Sequence, residues 1–400
     1  MVDYDFLSVY FYSVPNLRFP QFIESWNNYI VSELLTTFPT NSLSWDQLVK
    51  NQDSTLKNLH YGLIHNGFET TCITGENQLF PYIKHSFIPT RYALIQNGDL
   101  ILADASEDRK DVGRPVEMLD IGNQKIVSGL HTIHARNKTD LIVNGFKGFY
   151  FQSSAMKRQI FKIANGSKIY GISSSAFNEL KMFIPKKQEQ KKIIDLMIKI
   201  EERIQTQSKI IDDYNSLKMG IYNCMFKENY ADYKFKQLAY IVKGDQINND
   251  QLLSNGSYYM MNGGASPSGY LDSYNVSENT ISISEGGNSC GYVQFNSSPF
   301  WSGGHCYTIQ NVNSALIENK YLYHYLKHKE KEIMNLRIGT GLPNIQKKDL
   351  ENFTILVPSL LIQRKNLALF EMLDEKISIL NEELANLQKQ KKYLLCNMFI

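Results

Sequence analysis

Histidine pairs, one His-Cys step and several glycine-rich turns are the residues of this sequence whose spacing could do chemistry. His131 with His134, and His324 with His328, are spaced as metal ligands can be, the second pair on one face of a helix. No cysteine or carboxylate set accompanies them, so ordinary strand and surface histidines are the alternative. His305 beside Cys306 suggests a nucleophile, but the local pattern is that of a strand and offers no third orienting group, which favours packing. The phosphate-loop, dinucleotide, H-E-x-x-H and G-x-S-x-G motifs are all absent, as is the Asn/Asp-Pro-Pro-aromatic tetrapeptide of amino-methyltransferases. No catalytic and no metal-binding residue is therefore assigned, and no cofactor is expected in this chain.

The turns are better candidates. Gly-rich loops carrying Asn, Ser, Lys and Arg can bring backbone N–H groups to phosphates and present amides or guanidinium groups to base edges. In the first half these are residues 106–114 and 165–173, with Arg109, Lys110, Arg114, Lys168 and Tyr170 as candidate DNA contacts. In the second half they are residues 285–292 and 337–348, with Asn288, Tyr292, Arg337, Thr340, Asn344, Lys347 and Lys348. Plain solvated turns are the alternative for each. A second candidate surface, for a protein partner or a phosphate, is Gln190-Lys191-Lys192 and its counterpart Gln363-Arg364-Lys365. Positive charge near a helix start is disfavoured by the macrodipole, so its recurrence suggests a contact, or else solubility.

The elements that must position these loops occur twice. Residues 172–226 and 345–399 share one pattern at a constant offset of 173 residues, measured from Pro185 to Pro358. Gln190, Lys192, Leu196, Glu202, Ile204, Lys218, Met225 and Phe226 return as Gln363, Lys365, Leu369, Glu375, Ile377, Lys391, Met398 and Phe399, with no gap. After each proline the apolar positions follow a 3-4 spacing that predicts a long helix with a coiled-coil seam. The seam comprises Ile193, Met197, Ile200, Ile204, Ile211, Tyr214 and Ile221 in one copy, and Phe370, Leu373, Ile377, Leu380, Leu384, Leu387 and Leu394 in the other. Two similar seams on one chain predict an antiparallel, pseudo-twofold helix pair.

The whole chain of 400 residues, 43% hydrophobic and 20% charged, has room for two or three domains. A net charge of +2 neither supports nor excludes nucleic acid. Five cysteines without a C-x-x-C pair fit a reducing compartment, and no apolar run approaches the roughly 18 residues of a membrane span, so a cytoplasmic protein without a membrane partner is expected. Pro15 and Pro20 predict an extended lead-in to a helix near 30–36, followed by a polar stretch, 36–70, without a counterpart in the second half. Strands are expected at 99–103, 125–134, 258–264, 280–284 and 290–295, and helices at 152–164 and 316–335. The globular parts echo each other at Ser128-Gly129-Leu130-His131 against Ser302-Gly303-Gly304-His305, and at Gly166 against Gly339. Otherwise they differ.

This arrangement resembles the specificity subunit of Type I restriction–modification systems over essentially the whole chain. The resemblance is carried by Pro15-Asn16-Leu17-Arg18-Phe19-Pro20-x-Phe22 with Trp26, by Gly339-Thr340-Gly341-Leu342-Pro343-Asn344-Ile345, and by Ile355-x-Val357-Pro358 with Gln363-Arg364-Lys365. Met182-x-Ile184-Pro185 and Gln190-Lys191-Lys192 repeat it in the first half, which departs from the pattern at Lys168-Ile169-Tyr170-Gly171. It implies an α+β fold with two α/β target-recognition domains, at 1–184 and 227–357, separated by spacer helices at 185–226 and 358–400. Each domain would read one half of a bipartite, asymmetric site in double-stranded DNA while the helix pair sets the gap. The resemblance further implies two modification subunits holding S-adenosylmethionine, and motor/nuclease subunits using ATP and Mg. An enzyme with its own site and a coiled-coil adaptor without DNA readout are the rival classes.

Overall fold

Pro185 and Pro358 each follow a short strand, Lys181–Ile184 or Thr354–Val357, and precede a long helix: α1, Lys187–Met225, and α2, Leu360–Asn397. Proline ends the strand because it cannot donate to a ladder, and its fixed φ suits the helix entry. Each strand pairs antiparallel with a partner from far upstream, Asn27–Ile30 in the first case and Ala231–Lys234 in the second. The computed structural model describes residues 14–66, 68, 70–74, 80–226, 230–339 and 341–400. The chain forms two compact units, one from the chain up to Ser208 together with 382–400, the other from 209–381, so each unit takes part of both long helices.

In the first unit, a five-stranded sheet runs in the order Leu35–Phe38, Thr132–Asn137, Leu100–Ala103, Pro115–Asp120, Cys72–Thr74. A four-stranded sheet has the order Lys125–Ser128, Leu56–Leu59, Tyr82–Ile83, Leu48–Val49. The strand expected over 125–134 is thus two strands in different sheets, divided at 129–131, where His131 adopts a φ of 54°. The helix expected near 30–36 is a single turn, Val31–Leu34, because the β-branched Thr36 and Thr37 continue into a strand paired with Thr132–Asn137.

Helix Ser154–Ile163 is present, capped by Ser153, whose side chain accepts the Met156 N–H. Before it runs an unexpected helix, Phe146–Gln152, whose Phe146, Phe149, Tyr150 and Phe151 are fully buried. These aromatics meet Ile193 and Met197 of α1, Leu395 of α2, and Met398 and Phe399 just past it, in one core. The Tyr150 hydroxyl donates to the Ile400 carbonyl at 2.6 Å. The lead-in belongs to this unit too. Leu17 N–H donates to Asn397 O at 2.8 Å, Arg18 grips the Glu189 carboxylate with two bonds of 2.7 Å, and Trp26 Nε1 reaches the same group at 3.3 Å.

In the second unit, a four-stranded antiparallel sheet has the order Tyr240–Lys243, Cys306–Gln310, Thr280–Ser284, Val293–Asn296, and a three-stranded sheet the order Gly269–Leu271, Tyr258–Met261, Trp301–Ser302. The helical stretch expected at 316–335 divides into Asn319–His328 and Glu330–Met334. Tyr321, Leu322 and Tyr325 of the former pack with Tyr222, Phe226 and Phe370, the Tyr222 and Phe370 ring centroids 4.6 Å apart. Phe226 therefore serves this unit as Phe399 serves the first, as their shared place in the repeat predicts.

The long helices pair antiparallel inside each unit. In the first, Glu201 meets Lys391 at 2.6 Å and Gln207 Nε2 donates to Glu383 at 3.0 Å, so residue numbers rise on one helix as they fall on the other. In the second, Lys218 meets Asp374. Lys218 and Asp374 are the repeat equivalents of Lys391 and Glu201, so one ion pair is built twice with the roles of the helices exchanged. Of the expected seam, Ile193, Met197, Ile200, Ile211, Phe370, Leu373, Leu380 and Leu387 are buried. Ile204, Tyr214, Ile221, Ile377, Leu384 and Leu394 are half-buried.

Candidate nucleic-acid interface

The fold brings the two candidate loops of each half together. In the first unit, strands Ala105–Ser106 and Tyr170–Gly171 pair, Asn165 and Gly171 exchange both backbone bonds (3.0 and 2.8 Å), and Ile172 N–H donates to Asp104 O at 2.9 Å. In the second, Ile338 and Asn344 exchange both bonds (2.9 and 3.0 Å), Gly286 bridges Asn344, and Ile345 N–H donates to Glu285 O at 2.9 Å. Each second loop closes through a left-handed glycine, Gly166 at φ 142° or Gly339 at φ 97°. A Cβ on Gly166 would lie 1.9 Å from the Ile169 carbonyl oxygen. The tips carry Ile169 and Leu342 at equivalent positions, 64% and 86% exposed, where an apolar side chain gains nothing from its own fold.

A third segment braces each joined pair. The turn 128–131 places His131 Nδ1 3.4 Å from the Asp104 carboxylate, and the turn 302–305 places His305 Nδ1 3.4 Å from Glu285. The backbone repeats as well: Asp104 N–H donates to His131 O at 3.0 Å and Glu285 N–H to His305 O at 2.9 Å. Burial raises the Asp104 carboxyl above its usual range, opposed by His131. Glu285 also accepts from Lys243 Nζ at 2.6 Å and from the Tyr307 hydroxyl at 3.3 Å, and burial followed by the Glu285 charge pushes that hydroxyl well up.

The remaining candidates divide into engaged and free groups. Arg109 lies 4.2 Å over the Phe161 ring and donates to the carbonyls of Phe161 and Ala164, while Arg114 donates to the His65 carbonyl at 2.5 Å. Both guanidinium groups thus hold the loop to its own unit. Lys110, Lys168, Asn288, Arg337, Lys347 and Lys348 are exposed, Lys347 with Glu351 at 3.7 Å. Tyr170 is half-buried beneath Arg109, Tyr292 lies beneath Lys327 Nζ at 4.1 Å, and Asn344 contributes its backbone to the bridges. Thr340 lies outside the described residues.

Gln190 and Gln363, expected at a partner surface, are instead fully buried clamps. Gln190 Oε1 accepts from Val143 N–H and its Nε2 donates to the carbonyls of Leu141 and Pro185; Gln363 treats Glu318, Leu316 and Pro358 in the same way. Satisfying two backbone groups of a distant loop and one carbonyl at its own helix entry needs an inward amide. Lys191, Lys192 and Lys365 remain exposed, and Arg364 pairs with Glu318 at 2.8 Å.

His134, His324, His328 and Cys306 resolve into packing. His134 is buried against Asp99 at 2.6 Å. His324 bonds the Tyr222 hydroxyl at 2.9 Å, and burial lowers its pKa to about 4. His328 packs on Tyr222 and Phe226. Cys306 is buried, which pushes its thiol up to about 11 and opposes a nucleophilic role. Sequence reasoning missed a cavity of about 690 Å³ between the helices in the first unit, lined by Lys199, Arg203 and Glu383, and an aromatic run in the same unit. In that run Trp45 and His60 lie 4.4 Å apart, His60 and Tyr61 4.6 Å, and Tyr61 and His131 5.3 Å, beside a cavity of about 530 Å³. Its only sequence signal was aromatic spacing inside the polar stretch 36–70.

A family model described as the Type I restriction modification DNA specificity domain matches residues 115–213 and 227–389. A Mycoplasma pneumoniae protein named as a type I specificity subunit is 34% identical over 155 residues, 38% of this chain and 41% of that protein. A protein of Mycoplasma genitalium with the same description is 32% identical over 127 residues, 32% and 33% of the two chains. The aligned stretches thus span less than half of these curated relatives. The crystal structure of the Type I restriction–modification system S subunit from M. genitalium covers 97% of this chain and 99% of its own, with a TM-score of 0.63 at 16% identity. A chain from a structure concerned with assembly and conformational transition of the type I system covers 92% and 96%, with a TM-score of 0.58 at 16% identity.

Proposed function

This chain belongs to the Type I restriction–modification DNA specificity family, and from that premise we propose that it is the non-catalytic sequence reader of such a system. Each unit contacts one half of a bipartite, asymmetric site in double-stranded DNA through its joined loops. The observation that carries this reading is the same loop closure in both units, built with different side chains: a fixed frame places each loop pair, and Lys110 and Lys168 in one unit or Asn288, Arg337, Lys347 and Lys348 in the other vary what it presents. Phosphate contacts set register and base contacts set sequence, a division that suits such a frame. The paired long helices set the unread gap between half-sites and carry two modification subunits, to which Lys191, Lys192, Arg364 and Lys365 contribute exposed charge.

S-adenosylmethionine belongs to those modification subunits, and ATP with Mg to motor/nuclease subunits that join them in the cytoplasm. The test is adenine-methylation mapping of plasmid DNA from cells expressing this chain with a cognate modification subunit. One motif with two short specified parts and a constant gap is the expected outcome. Methylation without a bipartite motif, from a stable complex, overturns the reading.

A further inference from the structure

Resting on the two-headed DNA reading, we propose that His131 and His305 are matched phosphate contacts, each offering Nε2 to the DNA backbone at the corresponding place of its half-site. The units diverge in most loop side chains, yet both build the same charged turn. Its parts are Ser128-Gly129-Leu130-His131 with Asp104 in one unit and Ser302-Gly303-Gly304-His305 with Glu285 in the other. Gly129 N–H donates to Leu59 O at 2.9 Å and Gly303 N–H to Met261 O at 2.8 Å. A Cβ at either glycine would press to 2.6 or 2.7 Å from the side-chain amide of Asn58 or Asn262. The turn is therefore held at a fixed height against the neighbouring strand in both units.

The histidines are not there for stability. Their side chains are 50% and 62% exposed, and His131 holds a left-handed backbone that a non-glycine residue adopts only at a cost. With Nδ1 against the carboxylate, Nε2 is the ring atom left to face outward. Tyr61 braces the His131 ring edge-on at 5.3 Å, and Asn262 Oδ1 accepts the His305 backbone N–H at 2.9 Å. A protonated imidazole donates from both nitrogens, so one can serve the carboxylate and the other a phosphate. What the two halves of an asymmetric site share is backbone, and what they do not share is bases. A contact common to both readers therefore matches the common part.

The experiment uses the full chain assembled with its modification subunits, and two duplexes, one with the mapped methylation motif and one without it. His131→Gln and His305→Gln should each weaken binding to both duplexes by a similar factor, roughly tenfold, and lower the slope of log affinity against log salt by about one. His131→Lys and His305→Lys restore a cation and should recover most of that loss, which a merely structural side chain would not do. The mapped motif should stay unchanged in every variant. Loss confined to the motif-bearing duplex, relaxation at one base pair, unchanged binding in the Gln variants, or Lys variants as weak as the Gln variants overturns the inference. In those cases wild-type binding and its bipartite motif still stand, whereas wild-type protein that reads no bipartite motif overturns the functional reading with it.

Discussion

Lys391 and Lys218 occupy the same position of the repeat and make the same ion pair, yet their removal should cost very different amounts. Glu201 is 4% exposed, and its carboxylate accepts from Lys391 Nζ at 2.6 Å, from Thr71 N–H at 3.1 and 3.2 Å, and from the Thr71 hydroxyl at 2.9 Å. Lys391→Met leaves that buried carboxylate with neutral donors alone, at a cost of about 3–5 kcal/mol. Asp374 is 39% exposed, and water can replace Lys218, so Lys218→Met should cost about 1 kcal/mol or less. The difference of at least about 2 kcal/mol is large against experimental error. Urea titration followed by hydrogen exchange would read each unit separately, through Met118 and Ile133 in one sheet and Ile283 and Ile309 in the other. Equal costs, or a larger cost for Lys218→Met, would refute the reasoning that burial decides the worth of a repeated pair.

Further outcomes are expected. Gln190→Ala and Gln363→Ala should each destabilise their own unit by roughly 1–3 kcal/mol, since each strands one buried and two partly buried backbone groups; denaturant midpoints would show it. Phe370→Ala should cost about 3–5 kcal/mol in the second unit, whereas Ile204→Asp at its half-buried seam position should cost less than Met197→Asp, as thermal unfolding can rank. His324, lowered from 6.5 to about 4 by burial, binds fewer protons folded than unfolded. Its contribution is therefore present above pH 6.5 and lost as pH falls through about 4, and His324→Gln should flatten that part of the stability profile of the second unit. Thiol labelling at pH 8 should modify exposed Cys224 and Cys396 and spare buried Cys290 and Cys306.

The long helices were legible because their signal is local and periodic: each seam residue needs only its neighbours three and four positions away. The opening motif around Trp26 was visible as a motif, but its attachment to Glu189 and Asn397 was not, since partners that far apart leave no trace in local pattern. Gln190 was misassigned for the same reason. Beside two exposed lysines it reads as surface, and only the loop at 141–143 reveals it as a clamp. The four candidate loops were identified one by one, whereas their joining depends on isolated bridges and two-residue ladders too short for any periodicity. The sheets around 48–83 were hidden likewise, their strands being two to four residues long.

The second unit is a continuous piece of chain, 209–381, while the first lacks 382–400 until that unit has been made. Synthesis therefore leaves the first-made unit incomplete to the end. The earlier-translated unit must wait with Phe146 and Tyr150 unsheltered by Phe399, and with Glu201 unpaired by Lys391, until the last helix leaves the ribosome. That interval is when a chaperone has most to protect.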